Sequence, residues 1–332
     1  MIKGPARFDY YLTALQFLLN EAAQQKNPAL WLYKNNARTT IFMLEGLAKL
    51  YSGLHNKNKF TKIKAQFKLL EDALGAIDYY DATAQILSTN KKIPVKIISY
   101  LQAQQREKLE SVNAILIAKG WLSPDVNRIK KIQKKLTNCD WLNEKDEVNA
   151  INNFYGEAIY QITAFVQTTN CNFKNIEAEV HELRRKLRWL SIYPTAIQGA
   201  IQLKQAKAAT NHLKQYLTKT ITTAKFNKLP EVGDANYVLL LEQNYFYALS
   251  WMIAKLGEIK DSGLQVVAVS EALHQNTIAP LEDDAAYQKA YRLLGAAQPK
   301  IDALLKEASA ICRTYFSEHN LENLVLGVFE KT

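Results

Sequence analysis

Residues 176–190 read IEAEVHELRRKLRWL, and the period of that run decides the fold. Ile176, Val180, Leu183, Leu187 and Leu190 recur at the three- and four-residue intervals of one helix face, the apolar stripe that fixes a helix against a core. At about 100° per residue, Arg184, Arg185 and Arg188 fall within roughly 60° of His181 on the other side. Four basic groups therefore share a face. Like charges at i,i+4 cost a helix a few tenths of a kcal/mol each, so something should neutralise them. Two compensations are open. Glu177 and Glu182 could form a local salt-bridge network, or the guanidinium forks could hold a bound oxyanion in bidentate geometry.

The same period extends outward in both directions. Tyr11, Leu15, Leu18 and Ala22 form a core-facing stripe, and further helices are expected over Asn35 to Leu54 and through Phe60, Ile63, Phe67, Leu70 and Leu74. Lys57, Lys59, Lys62, Lys64 and Lys68 surround that last face and read first as a solvated surface. Ile97 to Ala118 is a further helix, and Ser123 before Pro124 is an expected cap for NRIKKIQKKL, residues 127–136. That segment is either a binding surface or an ordinary amphipathic helix. Later helices are expected at Ile176 to Tyr193, Ala196 to Tyr216, Ala235 to Lys260 and Ala285 to Glu318. The only β-rich run, LQVVAVSEAL from Leu264, ends in a helical pattern. The fold class is thus all-α, a helical bundle. The polar stretch from Gln167 to Asn175 is the expected linker between an N-terminal half, 1–166, and a C-terminal half, 176–332.

Charge is distributed unevenly across those halves. Met1 to Asp140 holds 22 Lys and Arg against 11 Asp and Glu, whereas the rest holds 20 against 21, so the excess of +10 belongs to the first part. A basic surface raises the local concentration of anions without choosing among nucleic acid, polyphosphate and anionic lipid. No run approaches the ~18 apolar residues of a membrane span. Asp9 and Glu21 interrupt the apolar N-terminal stretch where a signal peptide would carry none, so a cytoplasmic protein with no membrane is expected. Cys139, Cys171 and Cys312, odd in number and without a CxxC or His-rich neighbour, read as reduced thiols and not as metal ligands.

His181, Arg184, Arg188 and Leu190 together resemble the HxxRxxxRxL helix signature of the CHAD family, α-helical domains named for a recurrent histidine. That family has two helical repeats, each with such a basic helix and, farther on, a helix ending in an LGxhRD-like motif. LGEIKD, Leu256 to Asp261, resembles the second motif, with Lys260 in the basic position. The first repeat is similar but decayed. In KNNARTTIFMLEGL, residues 34–47, Asn35 takes the histidine position and Arg38 is retained, while Phe42, Met43 and Glu45 replace basic residues. Lys49 follows one turn later. In LGAIDY, Leu74 to Tyr79, Asp78 takes the basic position and Tyr79 the acidic one. The resemblance implies two pseudo-symmetric helical repeats around a basic channel that binds inorganic polyphosphate, without catalysis or cofactor. It implies polyanion-binding roles for His181, Arg184, Arg185, Arg188, Arg38, Lys49 and Lys260, and places the helices at Asn35 to Leu50 and Ile176 to Leu190 in equivalent settings.

An enzyme reading finds little support. Glu71/Asp72 and Asp283/Asp284 read as solvated faces, and no GxSxG, HExxH or glycine-rich phosphate loop is present. Two other classes stand beside polyphosphate binding: a helical scaffold that has lost its ligand, and a general nucleic-acid binder. The second would place aromatics among its cations, whereas Tyr79 and Tyr80 sit beside Asp78 and Asp81.

Overall fold

Asparagine begins many of the helices. Asn27, Asn56, Asn127, Asn143 and Asn175 each accept a backbone N–H two or three residues ahead, satisfying donors that a first helical turn leaves unpaired. The computed structural model describes residues 3–122, 127–205, 208–275 and 282–331. Ser123 and Pro124 lie outside the described residues, and the cap of residues 128–137 is Asn127.

In chain order the helices are α1 (Gly4–Ala23), α2 (Pro28–Lys34), α3 (Ala37–Leu54), α4 (Lys57–Ser88), α5 (Val95–Ala118), α6 (Arg128–Thr137), α7 (Glu144–Thr169), α8 (Glu182–Ala196), α9 (Lys219–Thr222), α10 (Gln243–Gln275), α11 (Asp283–Leu294) and α12 (Ile301–Ser317). A π-helical turn, Ile176–His181, leads into α8. The molecule is an all-α helical bundle with one small sheet. In that sheet β1 (Ile201–Lys204) runs parallel to β2 (Tyr237–Glu242), and β3 (Val325–Glu330) pairs antiparallel to β2.

The strands correct two expectations. Ala196 to Tyr216 is not one helix, because α8 stops at Ala196, Gln198 and Gly199 take positive φ, and β1 follows. Ala235 to Lys260 divides into β2 and the start of α10, since YVLLLE is buried as a strand of the sheet. The region 285–318 is likewise two helices, broken where Gly295 adopts φ +97°. LQVVAVSEAL lies inside α10, where Val266, Ala268, Val269, Ala272 and Leu273 are buried.

Two main cores form. Buried faces of α1 to α6 make the first. The second gathers α7, α8, β1, β2, α10 and α12. Val148, Ile151, Tyr155, Ile162 and Val166 of α7 belong to this second core, so the two cores part in the connection before Glu144 and not at 167–175, where Cys171 and Phe173 are buried. A third cluster joins the ends of α4 and α5 to α10 and α11 through Leu87, Ile97, Val269 and Ala290. Each half therefore contributes a long helix and its following partner to a shared end of the bundle. No described helix is long and apolar enough to cross a membrane.

Candidate polyanion site between the two basic helices

Helix α3 lies against α8 and packs along α4; α8 packs in the same way along α10. The contact between α3 and α8 is close because Gly46 presents no side chain. A Cβ there would stand 3.2 Å from Ile192 and 3.3 Å from the Trp189 ring. Phe42 stacks on Trp189 with centroids 4.7 Å apart, and the guanidinium of Arg188 lies 4.4 Å above the Phe42 ring. Phe42 and Arg188 occupy corresponding positions of the two repeats.

The sequence-predicted cations separate into three groups. Arg38 is neutralised within the chain: Nε donates to Glu71 at 2.8 Å and Nη1 to Asp78 at 3.0 Å. His181 and Arg185 pair locally, His181 Nδ1 with Glu177 at 2.7 Å and Arg185 with Glu182 at 2.6 Å. Lys260 pairs with the adjacent Asp261 at 2.7 Å. The local network thus accounts for half of the basic face.

Arg184 and Arg188 are different. The Nε of Arg184 donates to the carbonyl of Ile253 at 3.2 Å, and neither arginine has a carboxylate at ion-pair distance among the described residues. Burial lowers the pKa of Arg184, Asp261 opposes that shift, and Arg38 adds to it. Burial also brings Arg188 down to about 10, with Arg184 and Arg38 contributing through repulsion. Three guanidinium groups therefore crowd one partly desolvated place, and for two of them the opposing carboxylates, Asp261 for Arg184 and Glu71 for Arg188, act only from beyond ion-pair distance.

Beyond Trp189 lies a second basic locus. Lys49 sits with Nζ 4.6 Å from the Trp189 ring, and burial followed by Lys64 lowers its pKa to about 7, with Arg185 and Lys186 acting the same way. Glu45, one turn earlier, is 4% exposed, and burial followed by the charge of Glu71 raises it to about 7. Lys64 and Lys186 were not among the sequence-predicted residues; the face of Lys64 read as solvated. Phe42, Trp189, Gly75 and Gly257 were also missed as site elements. The two LG motifs held a signal for the glycines, since a glycine within a helix costs about 1 kcal/mol relative to alanine and asks for a steric reason.

Neither a family model nor a curated protein matches this chain. Among solved structures the chain is similar to PptA from Streptomyces chartreusis, with a TM-score of 0.51 and 11% sequence identity over 96% of this chain and 100% of that one. At that identity the likeness shows the fold.

Proposed function

We propose that the chain is a non-enzymatic polyanion-binding protein of CHAD-like build, that inorganic polyphosphate is its ligand, and that Arg184 and Arg188 make the principal contacts. The observation carrying this reading is the pair of partly buried arginines without carboxylate partners, crowded by Arg38. Such a cluster is stabilised by an oxyanion that accepts from two or more guanidinium groups. Each charge-assisted bond is worth about 1.5–3 kcal/mol, and loss of one corresponds to roughly tenfold or more in affinity. His181, Arg185 and Lys260 would join only by exchanging Glu177, Glu182 or Asp261 for phosphate.

The pairing of Arg38 with Glu71 and Asp78 favours a second reading, a helical scaffold in which this region has been closed by its own carboxylates. Titration of long-chain polyphosphate at two salt concentrations separates the two. Arg184→Ala and Arg188→Ala should each weaken binding at least tenfold, and Arg185→Ala by less. Equal affinity of all three variants and wild type, with binding abolished by salt alone, would select the scaffold.

A further inference from the structure

Helix α6 has the sequence RIKKIQKKLT, five cations in ten residues with no carboxylate. Its attachment does not depend on them, because Ile129, Ile132 and Leu136 are buried in the first core. Arg128 with Lys131, Lys131 with Lys135, and Lys130 with Lys134 are like-charge neighbours at i,i+3 or i,i+4, an arrangement that costs helix stability and returns nothing to packing. Gln133 of this helix engages Asp9 at 3.5 Å, and among the described residues Lys131, Lys134 and Lys135 form no ion pair.

These side chains surround a hollow of about 320 Å³ between α4 and α6, whose polar lining is Gln66, Arg128, Lys131, Lys134, Lys135 and Asn138, with Ile132 beside them. Two parts of its rim are held by hydrogen bonds. The Nε of Arg128 donates to the Lys119 carbonyl at 2.7 Å and its Nη1 to Gln66 at 3.2 Å, while Lys59 Nζ donates to the carbonyl of Asn138 at 2.5 Å. Among the described residues no wall residue is acidic or aromatic.

We infer that this hollow is a second anion site, separate from the α3–α8 cluster, for a compact ligand bearing several phosphates and no base. The charge calls for more than one phosphate, and the volume admits a short chain or a small ring of them. The absence of an aromatic wall disfavours a nucleotide, whose base would need a stacking surface. The outward face of α6 carries lysines without the apolar groups by which an amphipathic helix enters a lipid interface. Inorganic oligophosphates and inositol polyphosphates share the required chemistry.

Calorimetric titration of the full chain with inorganic tripolyphosphate, and separately with inositol hexakisphosphate, tests the site at fixed salt. The triple variant Lys131→Ala, Lys134→Ala, Lys135→Ala should weaken binding of the preferred ligand at this site at least tenfold, and Arg188→Ala should leave that site within twofold of wild type. All three lysines are exposed, so circular dichroism should be unchanged; the single variant Lys134→Glu gives the same test with less perturbation. The stronger of the two probes identifies the source of the phosphates. Failure of both to bind wild type, or a triple variant that titrates like wild type, overturns the site. A single-stranded oligonucleotide that outcompetes both at equal charge overturns the ligand class. If Arg188→Ala has no effect on any polyphosphate while the triple variant does, the α6 site stands and the α3–α8 reading falls.

Discussion

The Arg184 side chain lies across Gly257: a Cβ on residue 257 would stand 3.0 Å from Nε and 3.4 Å from Nη2. The relationship recurs in the other half, where a Cβ on Gly75 would stand 2.7 Å from Nη2 of Arg38. Four residues before each glycine, residue 253 or 71 accepts from the same Nε, through the carbonyl of Ile253 in one case and the carboxylate of Glu71 in the other. The two repeats are thus one construction used twice. They differ in whether a carboxylate answers the arginine.

Gly257→Ala should therefore act on binding more than on stability. Alanine gains about 1 kcal/mol of helix propensity, which offsets the displacement of Arg184. Because the guanidinium must move by a few tenths of an ångström, polyphosphate affinity should fall by about threefold or more, while the melting temperature changes little. A large loss of stability with unchanged affinity would show that the glycine serves packing alone.

The apolar stripe of 176–190 and its basic face were legible in sequence because a single helix supplies both period and chemistry. Arg38 was also legible, as a counterpart of Arg184. Its neutralisation was not, because Glu71 and Asp78 come from α4, more than thirty residues away, and helical periodicity says nothing about which faces meet. Phe42 read as the loss of a cation. In three dimensions it supports Arg188 and stacks on Trp189, replacing charge by a cation–π contact. The strands were missed because IQLK and YVLLLE are short apolar runs that fit either a strand or a buried helix, and only the pairing of β1 with β2 and of β2 with β3 decides between them.

Asp78→Asn should tighten polyphosphate binding. The carboxylate holds Arg38 at 3.0 Å and is half exposed, so the change removes a competitor for the guanidinium without opening the core. An increase of about two- to fivefold is expected, in line with a partly screened ion pair worth up to about 1 kcal/mol. Titration of wild type and variant at matched ionic strength measures it. Weaker binding by Asp78→Asn would mean that the carboxylate positions Arg38 for the ligand.

Glu45 and Lys49 predict how pH acts. Glu45 is raised from 4.5 to about 7, so the folded chain holds a proton that the unfolded chain has released, and this contribution to stability is lost as pH rises through that window. Lys49 is lowered from 10.5 to about 7, so the unfolded chain binds more protons above pH 7, and stability recovers as pH rises further. Anion binding favours the state below pH 7, with Glu45 neutral and Lys49 charged. Polyphosphate affinity should therefore increase as pH falls from 8.5 to 6, and Lys49→Met should reduce that increase and flatten the rise of stability above pH 7. Denaturation and titration at three pH values supply both readouts, and identical profiles for wild type and variant would remove Lys49 from the account.

The last prediction concerns what ties the two cores together. Arg7 of α1 donates to Tyr51 of α3 at 2.7 Å and to Glu147 of α7 at 2.5 Å, and Tyr51 donates to Glu147 at 2.6 Å. Arg7 is 6% exposed and Glu147 is 1% exposed. Burial opposes the Arg7 charge, but Tyr51 and Glu147 outweigh it and raise its pKa above the usual value. Replacing the whole pair by neutral groups can be nearly free, whereas removing one partner strands a buried charge at about 3–5 kcal/mol. Arg7→Met should therefore lower the unfolding free energy by about that amount. Adding Glu147→Gln removes the stranded charge and keeps an acceptor for the Tyr51 hydroxyl, so the double variant should recover more than half of the loss. Urea denaturation of the wild type, both single variants and the double variant closes the cycle. If Arg7→Met costs less than about 1 kcal/mol, or the double variant is as unstable as Arg7→Met, then α7 is held to the first core by its apolar contacts and the ion pair is incidental.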